Sequence, residues 1–599
     1  MIRISFPEPY NLVHIHPNGS EFQDIIEFLK TEDIYYNEKL DAYVCTPLHY
    51  FSIENHLETF EDFKVYDNTR LLINSHKFGK SELKSKRRLY RPELFFGEPK
   101  GKFQEDDIRM MMSKNRFLNA NDTGLGKTRE CNVTINHLIA DNEIDKILII
   151  TLDEALYNWK REILKSSNFK EDDIEIIDLK KRNIEDFFDK KILITSYLKF
   201  IKISDFYYKK KNKGVLKNYR KKQIDFSKFG SSRCLVLDEA HKIKNESKTS
   251  KIVYFHKEYF EYRYALTKTW IANGIEDGFN IINLLDEGLW GDDKNSFIRY
   301  IANVGSQYSK LDIIDYKEDK VNECLDRINN IIVKRNKKEA MSWLPLFTPK
   351  PIYIPMTEEF KKIYFSIAED ELQRIKEIEG YLEVKKVFNK FPYMMQLFSD
   401  PSLLKGKFYK CNAELEKWNF KNNPKLEICD SIISDHLDES KIIVWSTHPI
   451  TIDLLAEHYK KYNPLVYSGQ TKVKGDRSKF KDDLVQQFWN DDFRKLAIFQ
   501  PLSLGTAINL DIANIAINWD MTWDSIVNDQ SEGRIYRATS TKPMTHYKLI
   551  LDNTLEVTQL FCVDNKIKLN EFSTKRDQLS GEEWSYLLNG NEEGLKKLF

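Results

Sequence analysis

Short apolar segments recur in two separate parts of this chain, and each is followed by helix-like sequence. They lie at 146–152, 191–197 and 234–240 in the first part, and at 441–447, 495–501, 515–520 and 546–551 in the second. Segments this short, β-branched and continuously apolar are typical of strands buried on both faces of a parallel sheet. Because strands that alternate with helices form βαβ units, the sequence predicts an α/β fold with two parallel-sheet lobes.

The rest of the chain has a different pattern. Strand-like segments nearly vanish between about 291 and 415, where charged helical sequence dominates. The strand-like segment 42–48 precedes an amphipathic helical pattern, which is typical of a small α+β domain. We expect a small α+β accessory domain at 1–75, a basic linker at 76–100, a first lobe at 101–290, a helical insertion at 291–415, a second lobe at 416–556 and a C-terminal helical brace at 557–599.

Composition narrows the class of protein. The chain has 599 residues, more than the roughly 250–300 at which a single core stops growing. Lys plus Arg and Asp plus Glu both total 92, so attraction to nucleic acid requires a local basic patch. No long apolar run and no secretory pattern at the N-terminus occur, and the 7 cysteines are scattered. We therefore expect reduced thiols, a cytoplasmic location and no membrane partner.

A glycine-rich motif, DTGLGKT at 122–128, predicts a nucleotide site. It departs from the usual GxxxxGK[ST] pattern because Asn121 stands at the first glycine position. Glycines let backbone N–H groups approach phosphate oxygens, and a following helix N-terminus favours anions. Lys127 would reach the β- and γ-phosphates of ATP, and the Thr128 hydroxyl would hold Mg²⁺. The candidate nucleotide-binding residues are Thr123, Gly124, Leu125, Gly126, Lys127 and Thr128. The alternative is a glycine turn that precedes Lys-Thr by chance.

A second motif, LVLDEAH at 235–241, ends a strand-like segment with two carboxylates. Ligands bind at the carboxyl ends of parallel strands, so these carboxylates are expected beside the glycine-rich motif. Asp238 would coordinate Mg²⁺, and Glu239 would orient and activate the attacking water. The alternative is a solvated acidic loop, which the order and distance of the two motifs disfavour.

GLGKT and DEAH together resemble the superfamily-two helicases and translocases, and further motifs are similar to those of the Swi/Snf-type ATPases. These motifs are NWKRE at 158–162, HKIKN at 241–245, KRNK with LP at 334–345, SLGTAINL at 503–510, NWD at 518–520, QSEGRIYR at 530–537 and TLE at 554–556. The resemblance runs from Gln104 to about residue 570. It implies two RecA-like lobes, with a helical insertion between them, and ATP-driven movement on DNA.

The resemblance also implies further site residues. ATP would lie between the lobes, with its phosphates on the first and arginines arriving from the second. Arg534 and Arg537 are three residues apart and would project from one helix face toward the transferring phosphoryl group, with Gln530 and Gly505 nearby. The alternative for the arginines is a surface salt-bridge pair. Gln104 resembles the upstream glutamine that contacts adenine.

The third motif of the family, LTGTPxxN, is altered here. The sequence reads LTKTWIAN at 266–273, so Lys268 replaces glycine and Trp270 replaces proline. ATS at 538–540 stands where relatives have IGQ. In relatives the third motif helps to couple hydrolysis to DNA movement, so the coupling is the property that these changes affect.

Nucleic acid contacts are expected from two sources. In relatives the strand crosses segments that correspond here to Asn158–Trp159, Thr195–Tyr197, Thr447 and Gly505–Thr506. In addition, the insertion 202–222 carries nine basic residues against one acid, with Tyr207, Tyr208 and Tyr219 interleaved. Such a segment is a solvated loop, a DNA-contacting loop or a protein-docking loop.

The resulting hypothesis is an ATP-dependent translocase on duplex DNA that remodels branched DNA or forks. The N-terminal segment resembles the HARP-type domain of fork-remodelling annealing helicases, and the Lys, Ile and Asn content is typical of an AT-rich genome such as that of a virus. Two alternatives share the motor: displacement of proteins or stalled RNA polymerase, as in viral transcription-termination ATPases, and conventional strand separation. Replication, recombination or transcription proteins are the expected partners. A scaffold with an inactive ATPase is disfavoured by the intact motifs.

Overall fold

The structure is a computed structural model of the chain. It describes residues 2–5, 13–17, 22–32, 34–38, 41–45, 50, 53–54, 56–60, 63–65, 87–177, 184–203, 208–212, 215–219, 224–271, 274–286, 289–291, 294–307, 310–367, 382–383, 391–407, 412–504, 509–537, 539–565, 578–579 and 581–598. The chain divides into two compact units, Met1–Met341 and Ser342–Phe599.

The N-terminal part of the first unit contains a small mixed sheet. Its strands are β1 (Ile2–Ser5), β2 (Val13–His16), β3 (Tyr36–Asn37), β4 (Ala42–Cys45) and β5 (Phe63–Val65), in the order β3-β4-β2-β1-β5. The β1–β5 pair is parallel and the other pairs are antiparallel. Helix α1 (Phe22–Thr31) packs Ile25 and Leu29 against Ile4 and Ile15 of the sheet. This mixed architecture is the small α+β domain that the sequence predicted.

A seven-stranded sheet, parallel throughout, forms the centre of the first unit. The strands that follow β5 in this unit are β6 (Arg116–Asn119), β7 (Lys146–Thr151), β8 (Ile174–Ile176), β9 (Ile192–Ser196), β10 (Tyr208–Asn212), β11 (Val215–Tyr219), β12 (Arg233–Asp238), β13 (Tyr262–Leu266), β14 (Ala302–Gln307), β15 (Lys310–Tyr316) and β16 (Ile332–Val333). The order across the sheet is β16-β6-β13-β12-β7-β9-β8, while β10–β11 and β14–β15 form separate antiparallel hairpins. Every residue of β6, β9 and β13 is buried, as expected for strands covered on both faces.

Helices connect the strands of this sheet. They are α2 (Lys102–Met112), α3 (Lys127–Ala140), α4 (Leu156–Lys165), α5 (Tyr197–Ile203), α6 (Lys248–His256), α7 (Phe279–Leu285), α8 (Lys294–Ile301), α9 (Glu318–Ile328) and α10 (Lys337–Ala340). On one face of the sheet, Leu118, Leu148 and Leu235 share a core with Phe279 and Ile282 of α7.

A six-stranded sheet, also parallel throughout, forms the centre of the second unit. The strands of this unit are β17 (Phe347–Ile354), β18 (Leu382–Glu383), β19 (Ile442–Trp445), β20 (Leu465–Tyr467), β21 (Leu496–Phe499), β22 (Ile515–Asn518), β23 (Met544–Leu551) and β24 (Gln578–Leu579). The order across the sheet is β17-β23-β22-β19-β21-β20, and β18 pairs with β24 apart from it. Ile442 and Val444 enter one core and Ile443 and Trp445 another, so apolar side chains cover both faces. Two parallel-sheet lobes are therefore confirmed.

The helices of the second unit surround that sheet. They are α11 (Phe391–Ser399), α12 (Asn412–Lys417), α13 (Pro424–His436), α14 (Pro449–His458), α15 (Arg477–Asn490), α16 (Pro501–Leu504), α17 (Ser525–Ile535), α18 (Leu555–Asp564), α19 (Gly581–Asn589) and α20 (Glu592–Leu598). A further helix covers 358–367.

The segment 291–415, which we expected to be helical, contains strands as well. β16 joins the first sheet, β14–β15 forms a hairpin, and β17 pairs with β23 in the second sheet. Pro349 and Pro351 lie in β17, and prolines normally argue against a strand. β17 is an edge strand, where a missing backbone donor is tolerated, so the two prolines are compatible with it.

The basic segment 76–100, which we expected to be a linker, packs on the first lobe over its described residues 87–100. The Arg88 guanidinium, 3% exposed, binds Glu143 and Asn115. Arg91 binds Asp141 at 2.7 Å, and its backbone N–H donates to His137. Arg88 and Arg91 therefore serve intramolecular packing, because each is paired with a carboxylate of the first lobe.

No helix in the described part of the chain is long and apolar enough to cross a membrane. The six described cysteines are buried and unpaired with one another.

Candidate nucleotide-binding site

The predicted catalytic motifs meet at one edge of the first sheet. Neighbouring parallel strands β6, β13, β12 and β7 all present their carboxyl ends there, because parallel strands end on the same side. The glycine-rich loop follows β6, the altered third motif follows β13, and Asp238 is the last residue of β12. The strand order thus brings the glycine-rich loop and Asp238 to the same edge of the sheet, although more than a hundred residues separate them in the sequence.

The glycine-rich loop has a backbone that requires glycine. Gly124 and Gly126 have φ of 86° and 104°, in the left-handed region that side chains disfavour. A Cβ on Gly126 would clash with Gln104 Nε2. Gln104 is 1% exposed; its Nε2 donates to the Leu125 carbonyl at 2.9 Å, and its Oε1 accepts from the Lys100 N–H at 2.7 Å. Gln104 therefore braces the loop here, and its contact with adenine remains a prediction.

Lys127 begins helix α3 and turns back over the loop. Its Nζ donates to the carbonyls of Asn121 and Asp122, at 2.8 and 3.2 Å. Removal from water lowers the pKa of Lys127, while the negative charges of Glu239 and Asp238 act in the opposite direction. The predicted lysine and carboxylates thus interact electrostatically. Thr123 and Thr128 are half-buried in the same loop and helix turn.

Asp238 is held in one orientation by three donors. Its Oδ2 accepts from Thr151 Oγ1 at 2.7 Å and from Trp159 Nε1 at 2.8 Å, and its Oδ1 accepts from the Glu239 N–H at 3.1 Å. Burial raises the pKa of Asp238, and the neighbouring charge of Glu239 raises it further. A buried pair of carboxylates beside one lysine suits a hard divalent cation, which would compensate the excess negative charge.

Glu239 occupies a left-handed backbone conformation, φ 52°, which aims it away from the strand. Its Oε2 lies 3.1 Å from His241 Nδ1, which also contacts Thr267 Oγ1 at 3.2 Å. Burial acts to raise the pKa of Glu239, but the hydrogen bond and charge of His241, with Lys127 and Lys242, hold it below its usual value. An ionised Glu239 can accept a proton from water.

A cluster of polar side chains, most of them buried, lies beside the glycine-rich loop, and no sequence motif predicted it. Asn121 Nδ2 donates to Asp107 at 2.8 Å and to Glu130 at 3.3 Å, and Arg335 Nε binds Asp107 at 2.7 Å. Asn119 donates to Glu130 at 2.6 Å. Asn121, the residue that departs from the glycine-rich pattern, is thus explained: its amide bridges two buried carboxyl groups.

Two residues that we expected to contact DNA are buried supports of Asp238. Trp159 is 1% exposed and donates to the Asp238 carboxylate. Tyr197 is 5% exposed, and its hydroxyl donates to the Asp238 carbonyl at 2.9 Å. Neither ring is exposed, and contact of the two surrounding segments with DNA stays a prediction. The sequence could not show that both side chains turn inward from the ends of elements beside β12.

The arginines of the second unit do not share a helix face. Arg534 lies in α17, is 1% exposed and stacks over Trp445 at 5.5 Å. Helix α17 ends at Ile535, and Arg537 lies beyond it, with its Nε donating to the Gly533 carbonyl at 3.0 Å. The expected three-residue helical spacing fails because the chain leaves the helix first. Gln530 is half-buried in α17, and Gly505 lies outside the described residues.

The basic insertion 202–222 contains the β10–β11 hairpin. Its register places Lys210 opposite Lys217 and Tyr208 opposite Tyr219 on one face, and Lys209 with Lys211 on the other. Within the insertion, residues 204–207, 213–214 and 220–222 lie outside the part that the structure describes.

Residues 103–403 match the model of the SNF2-related domain. The chain is 24% identical over 466 residues to the uncharacterized ATP-dependent helicase MG018 of Mycoplasma genitalium, covering 76% of this chain and 40% of that protein. It is 23% identical over 481 residues to the ISWI chromatin-remodeling complex ATPase ISW1 of Saccharomyces cerevisiae, covering 77% and 39%. The chain thus spans about 40% of the length of these curated relatives.

Among solved structures, the Sulfolobus solfataricus SWI2/SNF2 ATPase core in complex with dsDNA is 24% identical. The match covers 84% of this chain and 99% of that chain, with a TM-score of 0.35, and the assignment does not depend on it. The SNF2-related domain model matches just over half of the 599 residues. On that match, the chain belongs to the SNF2-related domain family.

Proposed function

We propose that this chain hydrolyses ATP and uses the energy to move along double-stranded DNA without regard to sequence. The observation that carries the proposal is the meeting of Lys127, Asp238 and Glu239 at the carboxyl edge of one parallel sheet. Their charges interact, and each group has the chemistry that phosphoryl transfer needs at that position.

The residues of the loop and of β12 have separate roles in this proposal. Lys127 leaves the carbonyls of Asn121 and Asp122 and binds the β- and γ-phosphates. The left-handed glycines 124 and 126 open the backbone N–H groups of the loop toward the same phosphates. Glu239, kept ionised by His241, accepts a proton from the attacking water.

Asp238 and Thr128 are the residues that would hold Mg²⁺. The bound ion would neutralise charge on the phosphates. Trp159 and Thr151 keep the Asp238 carboxylate oriented, and their hydrogen bonds to Oδ2 restrict which oxygen faces the loop. Such support for an acidic ligand is normally needed for tight metal binding.

Arg534 and Arg537 are proposed to stabilise negative charge on the transferring phosphoryl group. Replacing an arginine in that role costs about 10³–10⁵ in rate. Arg537→Ala should therefore lower kcat by at least about 10³, with KM for ATP changed far less. A kcat within threefold of wild type would remove Arg537 from the site.

The proposal of DNA as the track is supported by family membership and by the basic hairpin. The names of the relatives describe an ATP-dependent helicase and a chromatin-remodeling ATPase. The lysines of β10 and β11 offer contacts to phosphates, which do not read sequence. Remodelling of branched DNA or forks is the finer activity that we propose for this motor.

One experiment tests the substrate. ATPase rates of the full chain are compared with no nucleic acid, single-stranded DNA, duplex DNA, a forked duplex and RNA. Duplex or forked DNA should stimulate hydrolysis most, and Glu239→Gln should show no stimulation with any of them. Stimulation by RNA alone would refute DNA as the track.

A second experiment separates translocation from strand separation. We expect weak displacement of a simple tailed duplex and detectable branch migration of a mobile four-way junction. Efficient unwinding of the tailed duplex, with no branch migration, would assign the motor to conventional helicases.

A further inference from the structure

The loop after β13 carries a lysine at the position where the resembled family has glycine. Lys268 Nζ lies 3.7 Å from Asp122 Oδ1, and Asp122 is the first residue of the glycine-rich DTGLGKT motif. The departure from the family pattern therefore places a cation against the phosphate-binding loop.

Hydrogen bonds of the neighbouring Thr267 and Thr269 hold the backbone of Lys268 in place. Thr267, fully buried, contacts His241 through its Oγ1 at 3.2 Å, and the Thr269 N–H donates to the same oxygen at 3.2 Å. His241 in turn lies 3.1 Å from Glu239. The backbone that carries Lys268 is thus tied to the DEAH carboxylate on one side and, through the lysine, to the loop on the other.

Asp122 also joins the loop to the last part of the first unit. Its Oδ2 accepts from the Lys337 N–H at 3.0 Å, and its own N–H donates to the Arg335 carbonyl at 3.1 Å. Its carbonyl accepts from Lys127 at 3.2 Å. Asp122 is therefore a junction between the phosphate-binding loop, the third motif and the segment 335–337.

The charge of Asp122 is unfavourable for the ligand proposed here. A carboxylate in the phosphate-binding loop repels phosphates unless a cation compensates it. Lys127 is assigned to the phosphates themselves, and Lys268 supplies a cation beside the Asp122 carboxylate. The exposed fractions of the two side chains, 32% and 27%, mean that their pairing contributes little to folding stability.

We propose that Lys268 is a positioning residue of the nucleotide site: it neutralises Asp122 and holds the phosphate-binding loop to the third motif. The proposal rests on the proposed ATPase function. It assigns a compensating role to Lys268, one of the residues by which this chain departs from the pattern of its family.

Four variants of the full chain test the proposal: Lys268→Ala, Lys268→Arg, Asp122→Asn and the double variant Lys268→Ala/Asp122→Asn. Asparagine keeps the oxygen that accepts from the Lys337 N–H while it removes the charge. Lys320→Ala is the matched control, because Lys320 is 31% exposed and pairs with Glu323 at 3.9 Å away from the loop. ATP affinity is measured with a fluorescent ATP analogue, and KM and kcat by steady-state hydrolysis.

Lys268→Ala should weaken ATP binding and raise KM by about three- to tenfold, since one uncompensated charge remains near the phosphates. Lys268→Arg and Lys320→Ala should stay within twofold of wild type. The double variant should bind ATP as tightly as Asp122→Asn alone, because the lysine then has no charge to compensate. The melting temperature should be the same for Lys268→Ala and Lys320→Ala.

Three outcomes would overturn the proposal: an ATP affinity of Lys268→Ala equal to that of Lys320→Ala, an equal loss in the single and double variants, or a fall in kcat alone. The ATPase function is judged separately, by wild type against Lys127→Ala. Hydrolysis by wild type that Lys127→Ala abolishes keeps that function whatever Lys268 does.

Discussion

Each lobe has a buried aspartate at or just beyond the carboxyl end of a parallel strand, and the surroundings shift the pKa values of the two aspartates in opposite directions. Asp238 ends β12 in the first sheet, and Asp520 follows β22 in the second. Burial raises the pKa of Asp238, and Glu239 adds to the effect. Burial also acts on Asp520, but His448, Ser399 and the Thr447 N–H hold its pKa well below the usual value.

The buried lysines differ in the same way. In the second lobe Lys425 is fully buried, and its Nζ binds Glu556 at 2.6 Å and the Trp519 carbonyl at 2.8 Å. In the first lobe the Lys127 Nζ donates to the neutral carbonyls of Asn121 and Asp122. The carboxylates that oppose the effect of burial on its pKa are Glu239, Asp238, Glu130 and Asp122.

This contrast between the lobes distinguishes buried charges that stabilise the fold from buried charges that suit a bound ligand. Asp520 and Lys425 have compensating partners, as stable interiors require. Asp238 and Glu239 are adjacent like charges, which is costly for the fold and characteristic of sites that bind a cation. The first lobe is therefore the lobe in which replacing a charge should affect chemistry more than stability.

The largest expected effect is the loss of hydrolysis in Lys127→Ala and Glu239→Gln. Each change removes phosphate or water positioning and little packing, so kcat should fall by at least about 10² while the circular dichroism spectrum is retained. Steady-state ATPase assays with duplex DNA measure it. Turnover within threefold of wild type in both variants would refute the nucleotide site.

In the second lobe, replacing the buried Lys425 should lower the stability of the protein rather than its catalytic activity. Lys425→Ala leaves Glu556 buried without its cation and should cost about 3–5 kcal/mol of unfolding free energy, measured in urea. Lys425→Met/Glu556→Leu should recover most of the loss, because both charges are gone. Glu556 has a pKa already raised to about 6 by burial, so the cost should shrink at pH 5 as the carboxyl is protonated. An unchanged stability would remove the contrast between the lobes.

A smaller effect is expected from His256, which the first lobe buries among Phe200 and Phe226. Burial lowers its pKa from 6.5 to about 4, so the unfolded chain binds a proton that the folded chain does not. Stability should therefore fall as the pH drops from 6.5 toward 4, by about 2 kcal/mol between pH 7 and 5. His256→Phe should flatten this dependence in urea unfolding experiments. Equal slopes for the variant and wild type would contradict the assignment.

The smallest effect concerns the basic hairpin. Replacing Lys209, Lys210 and Lys211 by Ser should reduce the log–log salt slope of duplex binding by about 0.9 for each lost contact. The register predicts that Lys210→Ser/Lys217→Ser and Lys209→Ser/Lys211→Ser give different slopes, because the pairs lie on opposite faces. ATPase without DNA should not change. An unaltered slope in every variant would assign the hairpin to solvent or to a protein partner.

The sequence predicted the candidate catalytic residues better than the residues that hold them in place. Lys127, Asp238 and Glu239 were predicted from motifs, since phosphate chemistry allows few residue types at that spacing. The hydrogen bonds of Trp159 and Tyr197 to Asp238 were not predicted, because a motif does not show which way a ring turns. Helix α17 was expected to include Arg537, but the helix ends two residues earlier, and local hydrogen bonds decide that end.

The sequence by itself determined the parallel sheets and the residues of the candidate nucleotide site, because apolar periodicity and short motifs are local signals. Only the tertiary structure decided which charges are compensated. The contacts of Asp238 with Trp159, and of Asp122 with Lys268, join residues far apart in the chain. Such contacts depend on the order of strands across the sheet, and the order β6-β13-β12-β7 is not the order of the strands in the chain.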